Sequence, residues 1–320
     1  MNFILEGMTF LRYFVPLIIE GNKRGVSSKV FWCKSRKYHN PAKFIDVLKR
    51  CASEFDFQLK HIDEINKYPD ITFLVEGCGL KYVNYNQKKI VLTSMRDFSV
   101  HYSKYIDKVD HVVFPSKYLA DHYGTLSEKN LYLGSPKYDV KFNKDFICDK
   151  YGIPKSKVAL MLLPRFSYLD ANQKKKALGI YSYLKRLGYF IVVKSRAKHP
   201  APNKWKGDRY FEDFSWFPHT TMELIYVSDI VINFDSTAIK ECLMLDTPMV
   251  NFRNKPKTFF GFMYNEPCIA SLKLNVNFVQ FKSVVKELVD ANLKDEFYHQ
   301  REVFLFKPGE VSSRILEVVL

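Results

Sequence analysis

Asp229-Ile-Val-Ile-Asn-Phe-Asp235-Ser236-Thr237-Ala-Ile-Lys-Glu241-Cys-Leu-Met-Leu-Asp-Thr-Pro248-Met-Val-Asn-Phe252 reads as a buried strand, a polar turn, a helix and a second buried strand. The spacing predicts the helix over residues 236–245, so its first backbone N–H groups and the positive end of its dipole point at whatever occupies the turn. A phosphate suits that place, with Asp235, Ser236 and Thr237 around it. The same residues also serve as a plain N-cap in any α/β protein. Glu241 falls one helical turn after Thr237 and would face the same cleft. Such folds bind their ligands beyond the carboxyl ends of parallel strands.

Outward from this unit, strands and helices alternate along the chain. Strands are predicted at residues 2–5, 29–32, 71–75, 90–93, 111–114 and 131–133. Helices are predicted at 10–20 and 42–55, with short helical or turn segments at 102–108 and 117–123. After Gly134-Ser-Pro136 the pattern restarts, with strands at 158–163, 190–194, 230–233 and 249–252 and helices at 171–186, 221–228, 236–245 and 278–291. The tail, 308–320, is one more helix. Two successive units of this kind imply two Rossmann-like α/β domains facing a common cleft, 1–138 and 139–320, with the last helix free to pack back on the first.

A chain of 320 residues with 47% hydrophobic residues buries a large core and is expected to form two domains. The apolar run at 14–19 is interrupted by Pro16 and flanked by Glu6 and Arg12, which predicts neither a signal peptide nor a membrane span. Six scattered cysteines without a C-x-x-C pair fit a reduced, cytoplasmic protein and no zinc site. The net charge of +15 suits nucleic acid, anionic membrane surfaces or phosphorylated substrates. The abundance of Lys, Asn, Ile, Phe and Tyr equally fits the codon bias of an AT-rich genome.

Several short motifs, taken in their order, resemble the GT-B glycosyltransferases. That group includes CDP-glycerol glycerophosphotransferases, Kdo- and sialyltransferases, lipid A disaccharide synthase and UDP-N-acetylglucosamine 2-epimerases. Val113-Phe-Pro-Ser-Lys-Tyr-Leu-Ala120 and Leu131-Tyr-Leu-Gly-Ser-Pro136 are similar to the end of their first domain. Leu163-Pro-Arg165 resembles a donor-contacting loop, Lys194-Ser-Arg-Ala-Lys-His199-Pro200 their histidine-proline motif, and Asp235-Ser-Thr-Ala238 their phosphate turn. The resemblance spans most of the second half and only the end of the first. It implies a nucleotide-sugar donor, with His199 on the donor phosphate.

The residues themselves agree with such a donor. Arg165, at a strand end, is suited to a bidentate phosphate contact, or else to a surface ion pair. His199 stands among Lys194, Arg196 and Lys198, a cationic loop from which it would donate to a leaving phosphate; a structural histidine is the alternative. Phe217, in Phe214-Ser-Trp-Phe-Pro-His219, either holds a nucleobase or is core. Glu241 either accepts from ribose hydroxyls or is a solvated helix carboxylate.

An inverting enzyme also needs a base for the acceptor hydroxyl. Glu6, Glu76 and Asp97 follow first-half strands, and Glu76 leads because the flanking glycines of Glu76-Gly-Cys-Gly79 allow close backbone approach. Glu-Gly resembles the acidic-glycine motif of bacterial sialyltransferases, whose other acidic position is Val75 here. A retaining enzyme would need no base.

No Asp-x-Asp triplet is present, so neither a metal nor another cofactor is expected; Arg165, Lys194, His199 and the Ser236 turn balance the departing phosphate charge. The expected function is a metal-independent glycosyltransferase of polysaccharide biosynthesis. It would move a sugar, or a sugar-like or polyol phosphate group, to a glycan or lipid-linked acceptor, with peripheral contact to an anionic membrane allowed by the charge. The alternatives are a nucleotide-sugar epimerase of the same fold and a non-catalytic basic module binding nucleic acid or anionic surfaces. Lysine runs without a stacking platform speak against nucleic acid.

Overall fold

The computed structural model describes residues 1–34, 40–94, 98–122, 124–164, 169–195, 200–212, 216–234, 236, 238–252, 268–305 and 309–320. The chain divides into two compact units, Met1–Val140 with Glu302–Leu320, and Lys141–Arg301.

Unit 1 is built on a parallel sheet of β1 (Asn2–Leu5), β2 (Lys29–Trp32), β3 (Gln58–His61), β4 (Thr72–Val75), β5 (Lys89–Leu92), β6 (His111–Phe114) and β7 (Asn130–Tyr132). Its strand order is β3-β2-β1-β4-β5-β6-β7, so the direction of winding reverses between β1 and β4. Its helices are α1 (Leu11–Lys23), α2 (Ile45–Phe55), α3 (Phe98–Tyr105) and α4 (Lys117–His122).

Unit 2 carries β8 (Val158–Leu162), β9 (Phe190–Ser195), β10 (Arg209–Glu212), β11 (Ile230–Asn233), β12 (Met249–Phe252) and β13 (Ile269–Leu272) in the order β10-β9-β8-β11-β12-β13, again all parallel. Here the reversal lies between β8 and β11. Its helices are α5 (Lys144–Tyr151), α6 (Ala171–Arg186), α7 (Thr220–Tyr226), α8 (Ile239–Met244) and α9 (Phe278–Asp290), and α10 (Lys294–Leu305) runs across the division to α11 (Val311–Val319).

Local sequence explains these elements. Leu11, Phe14, Val15 and Ile18 recur at helical spacing and are all buried on α1, with Phe14 5.2 Å from Phe3 of β1 and Phe3 stacked at 5.1 Å on Phe73 of β4. Asn143, Asp170 and Asn277 cap α5, α6 and α9, Asp170 through a full capping box with Gln173. The tail helix α11 is capped from a distance: the Asp139 carboxylate accepts from the N–H groups of Val311 (3.0 Å) and Ser312 (2.5 Å). Arg24, the C-cap of α1, donates to Ser313 Oγ at 2.6 Å, and Lys88 to the Val319 carbonyl at 2.7 Å. These bonds hold the C-terminal helix in unit 1.

The amino ends of the strands share one device. Asp110, Asp208 and Asp229 each precede a strand by one residue, and each carboxylate accepts at 2.7 Å from a backbone N–H of the neighbouring strand, of Lys89, Ile191 and Val158 in turn. Each of these three residues also donates its own N–H to that neighbour's carbonyl. Register is thereby pinned at the ends remote from the candidate sites.

The apolar runs of the sequence became the central strands to within a residue or two. β3, β10 and β13 were not expected. Each lies at a sheet edge with partly exposed positions, so none shows the continuous apolar run of a strand buried on both faces. The expected helix over 236–245 is shorter: α8 begins at Ile239, and its N-cap is Ala238, whose side chain makes no capping bond. Ser236 therefore belongs to the turn and not to the helix.

Candidate functional site

In unit 2 the polar residues collect at the carboxyl ends of β9, β11 and β12, beside the point where the sheet reverses. Strand alternation puts Ile191, Val193, Ile230, Ile232, Val250 and Phe252 on one face, where they join a core with α6 and α9. Lys194, Asn233 and Asn251 consequently share the opposite face. Lys194 is 7% exposed, and its backbone carbonyl accepts from Leu163 at the end of β8 (2.9 Å). Burying a lysine is costly unless anionic or hydrogen-bonding groups meet it, which makes this position informative.

Asn233 and Asn251 are fully buried. The Asn233 side-chain amide donates to Asn251 Oδ1 at 2.9 Å and to the backbone carbonyl of Ser236 at 3.2 Å. One amide thus ties β11, β12 and the Ser236 turn together, and Ser236 itself is half-exposed. Neither asparagine stood out by function in the sequence, although an Asn closing an otherwise apolar strand is the signal that would have found both.

Glu241 lies on α8 and is 5% exposed, so a solvated helix carboxylate does not describe it. Burial, followed by the Glu241 charge, pushes the Cys242 thiol well up from its ordinary range. Phe217 is half-buried between Trp216, a core residue, and His219, whose Nε2 is 3.3 Å from Thr221 Oγ1. Arg165, His199, Asp235 and Thr237 lie outside the described residues. The described chain leads to them from the carboxyl ends of β8, β9 and β11, at Pro164, Ser195 and Phe234.

In unit 1, Glu76 follows β4 at the reversal point, and Glu6 follows β1, the strand beside it. Glu76 has φ +55°, and Gly77 and Gly79 have φ +69° and +83°. The other described non-glycine residues with positive φ, Asp56, Asp246 and Glu310, flank helices; Glu76 is the one at a strand end. Such an outlier held at a strand terminus is a reason to look for function there. The Glu76 N–H donates to the Leu92 carbonyl (3.0 Å), and its Oε1 accepts from the Ser94 N–H.

The Tyr105 ring closes over Gly77, where an added Cβ would stand 2.6 Å from the ring. Burial, then the Glu76 charge, pushes the Tyr105 phenol up. At the end of β2, burial and then the Glu6 charge raise the Cys33 thiol to about 11. Asp97 lies outside the described residues.

Among the described residues, no group of three or more His, Cys, Asp and Glu is arranged to hold a metal ion, and no helix is long and apolar enough to cross a membrane.

No protein-family model and no curated protein matches the chain. Solved structures do. The UDP-GlcNAc 2-epimerase of Methanocaldococcus jannaschii matches over 99% of this chain and 98% of its own, with a TM-score of 0.67 and 12% identity. The fold is GT-B. The UDP-GlcNAc 2-epimerase of Neisseria meningitidis, solved with UDP-GlcNAc, covers 99% of this chain and 98% of its own at a TM-score of 0.60 and 13% identity. A glycosyltransferase from Rickettsia africae covers 99% and 97% at 0.53 and 13%. At such identities the likeness establishes the GT-B fold of two Rossmann-like domains, and the chemistry has to be argued from the residues.

Proposed function

We propose that this chain is a glycosyltransferase that moves a sugar, or a sugar-like or polyol phosphate group, from a nucleotide-activated donor to a glycan or lipid-linked acceptor. The observation that carries the reading is the buried Lys194 on the same sheet face as the Asn233–Asn251 pair, at the carboxyl ends of strands in a β10-β9-β8-β11-β12-β13 sheet. That is where a doubly wound sheet receives a nucleotide.

In this reading Lys194, Arg165, His199 and the turn of Asp235, Ser236 and Thr237 hold the donor phosphates, Phe217 meets the base and Glu241 accepts from the ribose. Glu76, with Asp97 as the other candidate, takes the proton of the acceptor hydroxyl. The acceptor oxygen bonds to the transferred group as that group's bond to the phosphate oxygen breaks, and the nucleotide leaves with the electron pair. Metal is no part of the proposal, so activity should persist in EDTA. The enzyme would work in the cytoplasm, its net charge of +15 favouring an anionic membrane carrying the acceptor.

A 2-epimerase is the second reading, favoured by the full-length match to two UDP-GlcNAc 2-epimerases. The two differ in what they need: an epimerase changes the donor with no acceptor present.

A thermal-shift titration with UDP, CDP, CMP, GDP and a DNA duplex at two salt concentrations tests the common part. A ligand at a hundred times its dissociation constant adds about 2.7 kcal/mol of stability. Selective stabilisation by one nucleotide is expected, and stabilisation by DNA alone, lost at high salt, would overturn the reading. NMR of the matching nucleotide sugar incubated alone then separates the two: a new C2 epimer would replace the transferase with the epimerase.

A further inference from the structure

We propose that Tyr210 is a positioning residue for the donor-phosphate site, tying the Lys194 end of β9 to Ala201 through a single hydroxyl. This rests on the reading of unit 2 as the donor-binding domain. Ser195 ends β9, and five residues of the chain separate it from Ala201.

Ser195 and Ala201 meet the same oxygen. Ser195 Oγ lies 2.6 Å from Tyr210 Oη, and the Ala201 N–H donates to Tyr210 Oη at 2.9 Å. The Tyr210 hydroxyl in turn donates to Glu212 Oε1 at 2.9 Å. A phenol has one proton to give and two lone pairs to offer. With its proton on Glu212, the Ser195 hydroxyl must donate to it, and all three capacities are used.

The sheet explains how these groups meet. β10 pairs with β9 so that Tyr210 faces Val193 and Glu212 faces Ser195. The period of two puts Ser195, Tyr210 and Glu212 on one face, and Lys194 on the other. Ser195 is 2% and Ala201 5% exposed. Water therefore cannot readily replace the tyrosine hydroxyl, and its removal would leave a buried hydroxyl and a buried N–H without their partner. The tie fixes the strand end that carries Lys194. It is a clamp oriented by a carboxylate that touches the phenol.

Tyr210→Phe removes the oxygen and keeps the ring against the core. Two readouts are taken: tryptic cleavage after Arg196 and Lys198 in the native protein, and the dissociation constant of the nucleotide that stabilises wild type. Both are expected to rise, each by about tenfold. In a Lys194→Met background the effect of Tyr210→Phe on affinity should shrink below about twofold, because the group it positions is gone.

Faster cleavage with unchanged affinity would make the tie merely structural and overturn the proposal, as would wild-type behaviour in both readouts. Should Tyr210→Phe fail to fold, Ser195→Ala cuts the Ser195 contact alone, and the same two shifts at smaller size are expected. If wild type binds no nucleotide, the donor-domain reading fails, whereas the cleavage experiment still judges the clamp.

Discussion

The two sheets of this chain run the same course, each returning after its third strand to the other side of its first, yet their carboxyl ends carry opposite chemistry. In unit 1 the ends present Glu6, and Glu76 beside the left-handed Gly77 and Gly79; in unit 2 they present Lys194, two buried asparagines and a serine turn. The amino ends do not differ in this way, since Asp110, Asp208 and Asp229 perform the same register-pinning task in both units. Scaffold and chemistry are thus separable: the order of strands makes the place, and the first residues beyond the strand ends decide what can occupy it.

The sharpest challenge to this contrast is Glu76→Gln. The amide oxygen can still accept from Ser94, so the fold should persist, while transfer falls by about 10²–10⁴ and nucleotide-induced stabilisation is unchanged. Loss of nucleotide binding in this variant would erase the division of labour. Lys194→Met approximates the length and loses the charge. It should weaken the nucleotide by about 10- to 100-fold, measured by titration calorimetry. Unaltered affinity would remove Lys194 from the donor site.

Gly77→Ala asks whether the backbone shape of unit 1 matters alongside its charges. A Cβ at φ +69°, 2.6 Å from the Tyr105 ring, is expected to cost about 1–3 kcal/mol in urea unfolding and to lower transfer by displacing Glu76. Full stability would show that this turn yields without consequence. The smallest effect is expected from Asn233→Asp, which turns an oxygen toward the Ser236 carbonyl and Asn251 Oδ1. About 1–2 kcal/mol should be lost, with a weaker nucleotide response, and an unchanged response would separate the asparagine pair from the site.

Much of the scaffold was legible in the sequence. The runs Ile230-Val-Ile-Asn233 and Val158-Ala-Leu-Met-Leu162 are apolar on both faces and could be little else than central strands. β10, Arg209-Tyr-Phe-Glu212, was invisible because two adjacent aromatics between charged residues make neither an alternation nor an apolar run. With it went the site residues that depend on pairing: Tyr210 acquires its meaning only when β10 lies beside β9. Lys194 was legible as a cation near a strand end, whereas its burial was not, because burial is decided by what covers the sheet face. Glu241 likewise looked like any acidic residue of a helix and proved buried.

The sequence by itself determined two α/β units, the central strands and the chemical type of the residues after them, because hydrophobic period and chain order are local properties. Tertiary structure alone decided the strand orders, the faces shared by Lys194, Asn233 and Asn251, the closing of one hydroxyl on Ser195, Ala201 and Glu212, and the docking of the last helix on Asp139. Each of these joins positions far apart in the chain or depends on strand pairing, and such contacts form only where the whole sheet and its covering helices bring those positions together.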